Sequence, residues 1–152
     1  MATSDKVIIT CALTGAVTSK KQCPAIPYTP VEIAEEARRA YEAGAAVVHI
    51  HAREDNGAPT FRKEVFAEIK KECRARSPII LNFSTGGLGL PMEERVGHIV
   101  ESTPEIGAMN SGSLTYAKYN AKEKRFVFDF VFGNPFSDIT FLLKRMNEAN
   151  VI

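Results

Sequence analysis

His49 and His51 stand one residue apart in the stretch VVHIHARED, Val47 to Asp55. On a strand, residues i and i+2 point to the same face, so the two imidazoles project together while Ile50 faces away. Two rings so spaced can share one divalent ion, each nitrogen at about 2.0–2.1 Å. The competing reading is a hydrogen-bonded structural pair. The crowding of Arg53 and Glu54 behind the pair, and the frequency of histidine as a ligand, favour a metal. A catalytic zinc site normally has three protein ligands and an open position. The third should be another histidine or a carboxylate, but His98 falls in a helical pattern where it reads as a surface residue. No third ligand is apparent.

Two further stretches carry chemistry. STGG, Ser84 to Gly87, follows an apolar run. Its glycines would let backbone amides approach an anion or oxyanion, and the Ser84 hydroxyl can donate a hydrogen bond. The loop matches neither the dinucleotide fingerprint nor the phosphate loop ending in Gly-Lys-Ser/Thr. MNSGS, Met109 to Ser113, supplies Asn110 and Ser113 after the next run.

The elements that must position these residues follow from the alternation of short apolar runs with helical patterns. KVIITCAL reads as a strand buried on both faces, as in parallel sheets. In YTPVEIAEEARRAYEAG a helix has Thr29 as N-cap, Pro30 at its first position, Glu32 closing a capping box and Gly44 as its stop. Ile33, Ala37, Ala40 and Tyr41 share its inner stripe. AAVVHIH is the second strand. A helix from Lys63 to about Arg76 follows, with Val65, Phe66 and Ile69 inward. PIILNFS is the third strand, PMEERVGHIVES a helix opened by Pro91, and Ile106 to Met109 a weaker strand. In RFVFDFVFG, Phe126, Phe128, Phe130 and Phe132 line one face of an extended segment, read as cover for the core or a subunit interface rather than a ligand box. NPFSDITFLLKRMNEAN is a last helix, capped by Asn134 with Pro135 at its first position, and a fifth strand is due at Val151 and Ile152.

This βαβαβαβ order builds a parallel sheet through right-handed crossovers, and doubly wound sheets and (β/α)8 barrels both begin so. In either, the carboxyl ends of the strands form the ligand-binding edge. His49 and His51, STGG and MNSGS occupy three consecutive strand ends. Four βα units are about half of a closed barrel of roughly 250 residues, so the chain is either a small open α/β domain or half a barrel.

At 152 residues and 45% hydrophobic content the chain suits a single domain with its own core. A net charge of +1, with 19 basic and 18 acidic residues interspersed, gives no electrostatic footprint for nucleic acid or an anionic membrane. Cys11, Cys23 and Cys73 are odd in number and far apart, as reduced thiols of a cytoplasmic protein would be. No stretch has the roughly 20 apolar residues of a membrane span or the apolar core of a signal peptide.

Taken in order and spacing, ITCALTGA, HIHARED, NFSTGG and MNSGS resemble the β-keto acid cleavage enzyme family over essentially the whole chain. The resemblance implies a (β/α)8 TIM barrel, commonly tetrameric, that binds a divalent metal, usually zinc. It implies conversion of a β-keto acid and acetyl-CoA into acetoacetate and a new CoA thioester. His49 and His51 would be two of the zinc ligands. Ser84 and Gly87 would contact the keto acid, and Asn110 would orient it, Ser84 and Asn110 serving the reaction itself. The family's third ligand is a glutamate in the C-terminal half, so residues 1–152 would be the N-terminal half and the carboxylate would lie outside them. Some members carry a glutamate after TGA for a substrate amino group. Val17 stands there in this chain and points away from an amino-bearing keto acid. Ala108 replaces a threonine two residues before Asn110. Two other readings compete: a metal-dependent hydrolase of the amidohydrolase type, whose His-x-His pair usually follows the first strand rather than the second, and a non-catalytic α/β fragment.

Overall fold

The computed structural model describes residues 6–152. Four parallel strands alternate with helices: β1 (Thr10–Ala12), α1 (Pro30–Glu42), β2 (Val47–Ile50), α2 (Lys63–Arg74), β3 (Ile80–Ser84), α3 (Met92–Ser102) and β4 (Ile106–Ala108). Two antiparallel strands, β5 (Leu114–Asn120) and β6 (Arg125–Phe132), and helix α4 (Phe136–Glu148) complete the order. α1 begins where its sequence says it should. The Thr29 hydroxyl accepts from the Glu32 amide at 3.2 Å, and the Glu32 carboxylate accepts from the Thr29 amide at 3.1 Å. A bond from Lys20 and the amides of Tyr28 and Thr29 pull the Glu32 pKa down to about 2. Thr29→Ala is expected to cost about 1 kcal/mol in urea unfolding, as losses of N-caps do.

The strand order is β1-β2-β3-β4, every pair parallel. Each helix packs on the next, α1 on α2, α2 on α3 and α3 on α4, so the helices form one layer on one side of the sheet. A doubly wound sheet reverses its strand order and places helices on both faces. Sequential order with a single helical layer is the arrangement of a barrel wall. The sheet's outer face and the helices share one core, with Val48, Ile50, Leu81 and Phe83 fully buried against Ile33, Phe66, Ile69 and Ile99. Gly107 lets α4 come close, because a Cβ there would collide with Met146 Sδ.

The other face is read off the register. Thr10, Val47 and Ile80 form one row, then Ala12, His49, Asn82 and Ile106. His51 and Ser84 are the next residues on that face, with Ala108 opposite Ser84. The face turns from apolar to polar toward the carboxyl ends of the strands. At position 152 the main chain lies against β4: Gly107 N–H donates to the Ile152 carbonyl at 2.8 Å and Ile152 N–H to the Glu105 carbonyl at 3.2 Å. That is the place where a fifth strand is due.

Several expectations are corrected. β1 is an edge strand, and Val7 and Ile8 ahead of it are 83% and 76% exposed rather than buried on both faces. Tyr41 lies outside the α1 stripe, where Ala34 is buried instead. α4 starts one residue later than read, with Pro135 at the cap position. The extended phenylalanine segment is one arm of a hairpin, and only Phe132 of it is buried, so it does not cover the core. A bulge shifts the register between Lys118 and Tyr119, pairing Lys118 with Phe128 and Tyr119 with Phe126. Lys118 and Tyr119 face opposite ways, so Phe126 leaves the face that Phe128, Phe130 and Phe132 share.

Candidate functional site

β2 delivers His49 and His51 to the inner face together. Their Nε2 atoms lie 3.1 Å apart and the rings stand nearly perpendicular, at 81°. Two nitrogens at that separation, each about 2.05 Å from one ion, would subtend about 100°, close to the tetrahedral angle. The pair therefore fits a shared divalent ion as two of its ligands. Among the described residues no group of three or more His, Cys, Asp or Glu side chains converges on one point, so the pair is a partial site.

The pair is braced from two sides. The Thr14 hydroxyl, on the chain leaving β1, donates to the His51 carbonyl at 2.8 Å and accepts from the His51 amide at 2.9 Å. Asn82, in register with His49, places its carboxamide oxygen 3.3 Å from His49 Nδ1. Burial, then the neighbouring positive charge of a protonated His49 and of Arg53, pushes the His51 pKa down to about 4. His51 is consequently neutral at physiological pH, the form that can ligate.

Arg53 does not face the pair. Its guanidinium is buried and donates to the Gly15 carbonyl at 2.9 and 2.6 Å, Thr18 at 3.1 Å and Gly57 at 2.6 Å. It straps the loop after β1 to the turn after β2.

Ser84 ends β3 on the inner face and lines a cavity of about 10 Å³ with His51, Ala16, Phe61 and Phe66. Its hydroxyl oxygen accepts from the Gly86 amide at 3.1 Å, leaving its own proton to donate. The Gly87 amide is likewise engaged, donating to the Thr85 carbonyl at 3.0 Å. The loop's amides thus hold the loop rather than stand open to an anion. Gly87 is a glycine for space, since a Cβ would sit 2.9 Å from Leu90 Cδ1 and 3.0 Å from Arg95 Cγ. Asn110 is half-buried in the chain leaving β4, while Ser113 accepts from the Asn134 amide at 2.9 Å.

His98 corrects the sequence reading most sharply, for it is completely buried. Arg95, His98, Ile99 and Ser102 follow the i, i+3, i+4, i+7 stripe of α3, and all four face inward. Polarity suggested surface where periodicity marked core. His98 Nε2 meets the Ser84 carbonyl at 3.0 Å, and its ring stacks on Phe66 at 3.9 Å.

Arg95 clamps two rim loops, donating to the Thr85 carbonyl at 2.9 Å and to Asn134 Oδ1 at 2.9 Å. Asn134 in turn donates to the Gly112 carbonyl at 3.3 Å. Arg95→Met keeps the stem but leaves the buried Asn134 Oδ1 unpaired and the Thr85 carbonyl with the Gly87 amide alone. Relief of the cost of burying a charge offsets part of that, so a net loss of about 2 kcal/mol is expected in denaturant unfolding. The sequence alone does not mark Arg95, Asn134, Thr14 or Asn82 as site residues.

The beta-keto acid cleavage enzyme family matches residues 6–152. A 3,5-dioxohexanoate:acetyl-CoA acetone transferase of Paraburkholderia graminis is 36% identical, covering 94% of this chain and 51% of its own. A 3-keto-5-aminohexanoate cleavage enzyme of Fusobacterium nucleatum is 42% identical over 74% of this chain and 42% of its own. The chain thus spans about half the length of the curated relatives it matches. Among solved structures, ObcA in complex with oxaloacetate superposes with a TM-score of 0.63 at 21% identity, covering 84% of this chain and 30% of that one. At that identity the likeness speaks for the fold alone.

Proposed function

The chain belongs to the beta-keto acid cleavage enzyme family, and from that premise we propose that residues 1–152 are the N-terminal half of a (β/α)8-barrel enzyme that converts a β-keto acid and acetyl-CoA into acetoacetate and a new acyl-CoA. The observation that carries this reading is the convergence of His49 and His51 Nε2, 3.1 Å apart, beside Ser84 at the strand ends. A barrel assembles its active site at that edge.

His49 and His51 hold the divalent ion, zinc in our reading, with a carboxylate from outside these residues as third ligand. When bound there, zinc supplies Lewis acidity toward the β-keto carbonyl. The protein's own groups do the rest. His51, kept neutral by burial, keeps a nitrogen lone pair available at physiological pH. Ser84 donates its hydroxyl proton to the keto acid, and Gly87 contacts it from the same loop. Asn110, entering from the next strand end, orients it. Arg53 and Arg95 fix the loops that carry these groups. Val17, 90% exposed in the loop after β1, offers no charge to a substrate ammonium, which favours a keto acid without an amino group.

The enzyme is cytoplasmic and homotetrameric in this reading. Among the described residues no helix is long and apolar enough to cross a membrane. Phe126 and Tyr119 on one face of the hairpin stand 55% and 55% exposed, and Phe128 on the other 45%, apolar surface that suits burial against another subunit. The test is a panel of β-keto acids with acetyl-CoA, read as acetoacetate release and new thioester by mass spectrometry. Turnover dependent on both CoA and metal is expected. Hydrolysis without acetoacetate would move the protein to the hydrolases.

A further inference from the structure

The ring of His49 can hold its proton on either nitrogen, and only one choice leaves Nε2 free for an ion. Asn82 Oδ1 lies 3.3 Å from His49 Nδ1. A carboxamide oxygen only accepts, so this contact is a hydrogen bond when Nδ1 carries the proton. The Nε2 lone pair then points to the place where His51 Nε2 arrives, 3.1 Å away. The backbone brings the two side chains together. β2 and β3 pair in parallel with His49 opposite Asn82, and Asn82 is held between Leu81 and Phe83, both completely buried. In the row Ala12, His49, Asn82, Ile106 the outer two are apolar, so Asn82 is the polar neighbour on that row.

We propose that Asn82 is a positioning residue that fixes His49 as the Nδ1-protonated tautomer and so directs its Nε2 to a divalent ion shared with His51. The inference rests on the metal-site reading above and deepens it. Partners of this kind on a ligand's second nitrogen set ring orientation and ligand basicity, and their loss weakens metal affinity about 10–100-fold.

The experiment titrates Zn2+ into the purified polypeptide that also supplies the third ligand, in competition with a chromophoric chelator, for the wild type, Asn82→Leu and Asn82→Asp. Asn82→Leu is expected to bind about 10–100-fold more weakly. Asn82→Asp keeps the acceptor and adds charge, so it should bind at least as tightly as the wild type. A residue that merely filled space would give no such split. Imidazole nitrogen NMR of the metal-free wild type should show His49 protonated at Nδ1, an arm that stands even if Asn82→Leu does not fold. If the wild type binds no zinc, the metal-site reading falls and this inference with it. If the wild type binds and Asn82→Leu matches it, or Asn82→Asp binds more weakly, the role of Asn82 alone is overturned.

Discussion

His51→Ala is expected to weaken zinc binding by more than about 100-fold, because removing a ligand should exceed the 10–100-fold that removing a ligand's partner costs. In a polypeptide that turns over a β-keto acid, acetoacetate formation should fall to background. The fold should tolerate the change. The side chain is only partly buried, and its bracing by Thr14 runs through the main chain, which alanine keeps. Lost with the ring is its contact with His49 Nε2 at 3.1 Å, worth about 1 kcal/mol as a hydrogen bond. Loss of metal with little loss of stability separates a ligand from a structural histidine pair. The structural reading predicts the reverse, a shifted unfolding midpoint with unchanged zinc affinity, and that result would sink the metal assignment. His49→Ala should behave alike, with one difference: it also strands Asn82 Oδ1, which then turns to solvent.

The inward pairing of His49 and His51 was legible because a period of two is a local property of a strand. Their bracing was not. Asn82 sits in plain view two residues before Ser84, yet what makes it a neighbour of His49 is the parallel register, set by how helices α1 and α2 seat the strands. The same holds for Arg95, whose partners Thr85 and Asn134 are 10 and 39 residues away. β5 escaped for a different reason. Hairpin turns announce themselves by Asn-Gly or Asp-Gly, but here the turn runs through AKEK, with Lys124 itself at φ +50°. A lysine in a left-handed conformation carries no signal in the sequence. The hairpin's bulge, invisible for the same cause, is what sends Phe126 to the opposite face from Phe128.

The buried stripe of α3 leads to the second large effect, a loss of stability in mild acid centred on His98. Its Nε2–H donates to the Ser84 carbonyl, so the neutral ring carries its lone pair on Nδ1, which has no partner of good geometry. Protonating Nδ1 would put a charge in a pocket walled by Phe61 and Phe66. Burial lowers the His98 pKa to about 4, against the opposing pull of the Ser84 and Glu94 carbonyls. The unfolded chain takes that proton near pH 6.5, so it binds more protons than the folded chain throughout the interval between. Stability from this group is therefore whole above about pH 6.5, declines as pH falls toward 4, and changes no further below that. At about 1.4 kcal/mol per pH unit the decline amounts to about 3 kcal/mol. His51 titrates in the same direction, so the effect of His98 is isolated by comparison with His98→Phe, measured with a chelator present to remove any contribution from bound metal. At pH 7 the variant should be the less stable by about 1 kcal/mol, having lost the bond to the Ser84 carbonyl. Toward pH 4.5 it is spared the penalty of a buried imidazole, and the two stability curves should converge and cross. Glu32, whose titration lies below pH 4.5, acts on both proteins alike and cannot produce the crossing. Parallel curves from pH 7 to 4.5 would mean that water reaches the His98 ring, and that the Ser84 end of β3 is looser than its packing against Phe66 implies.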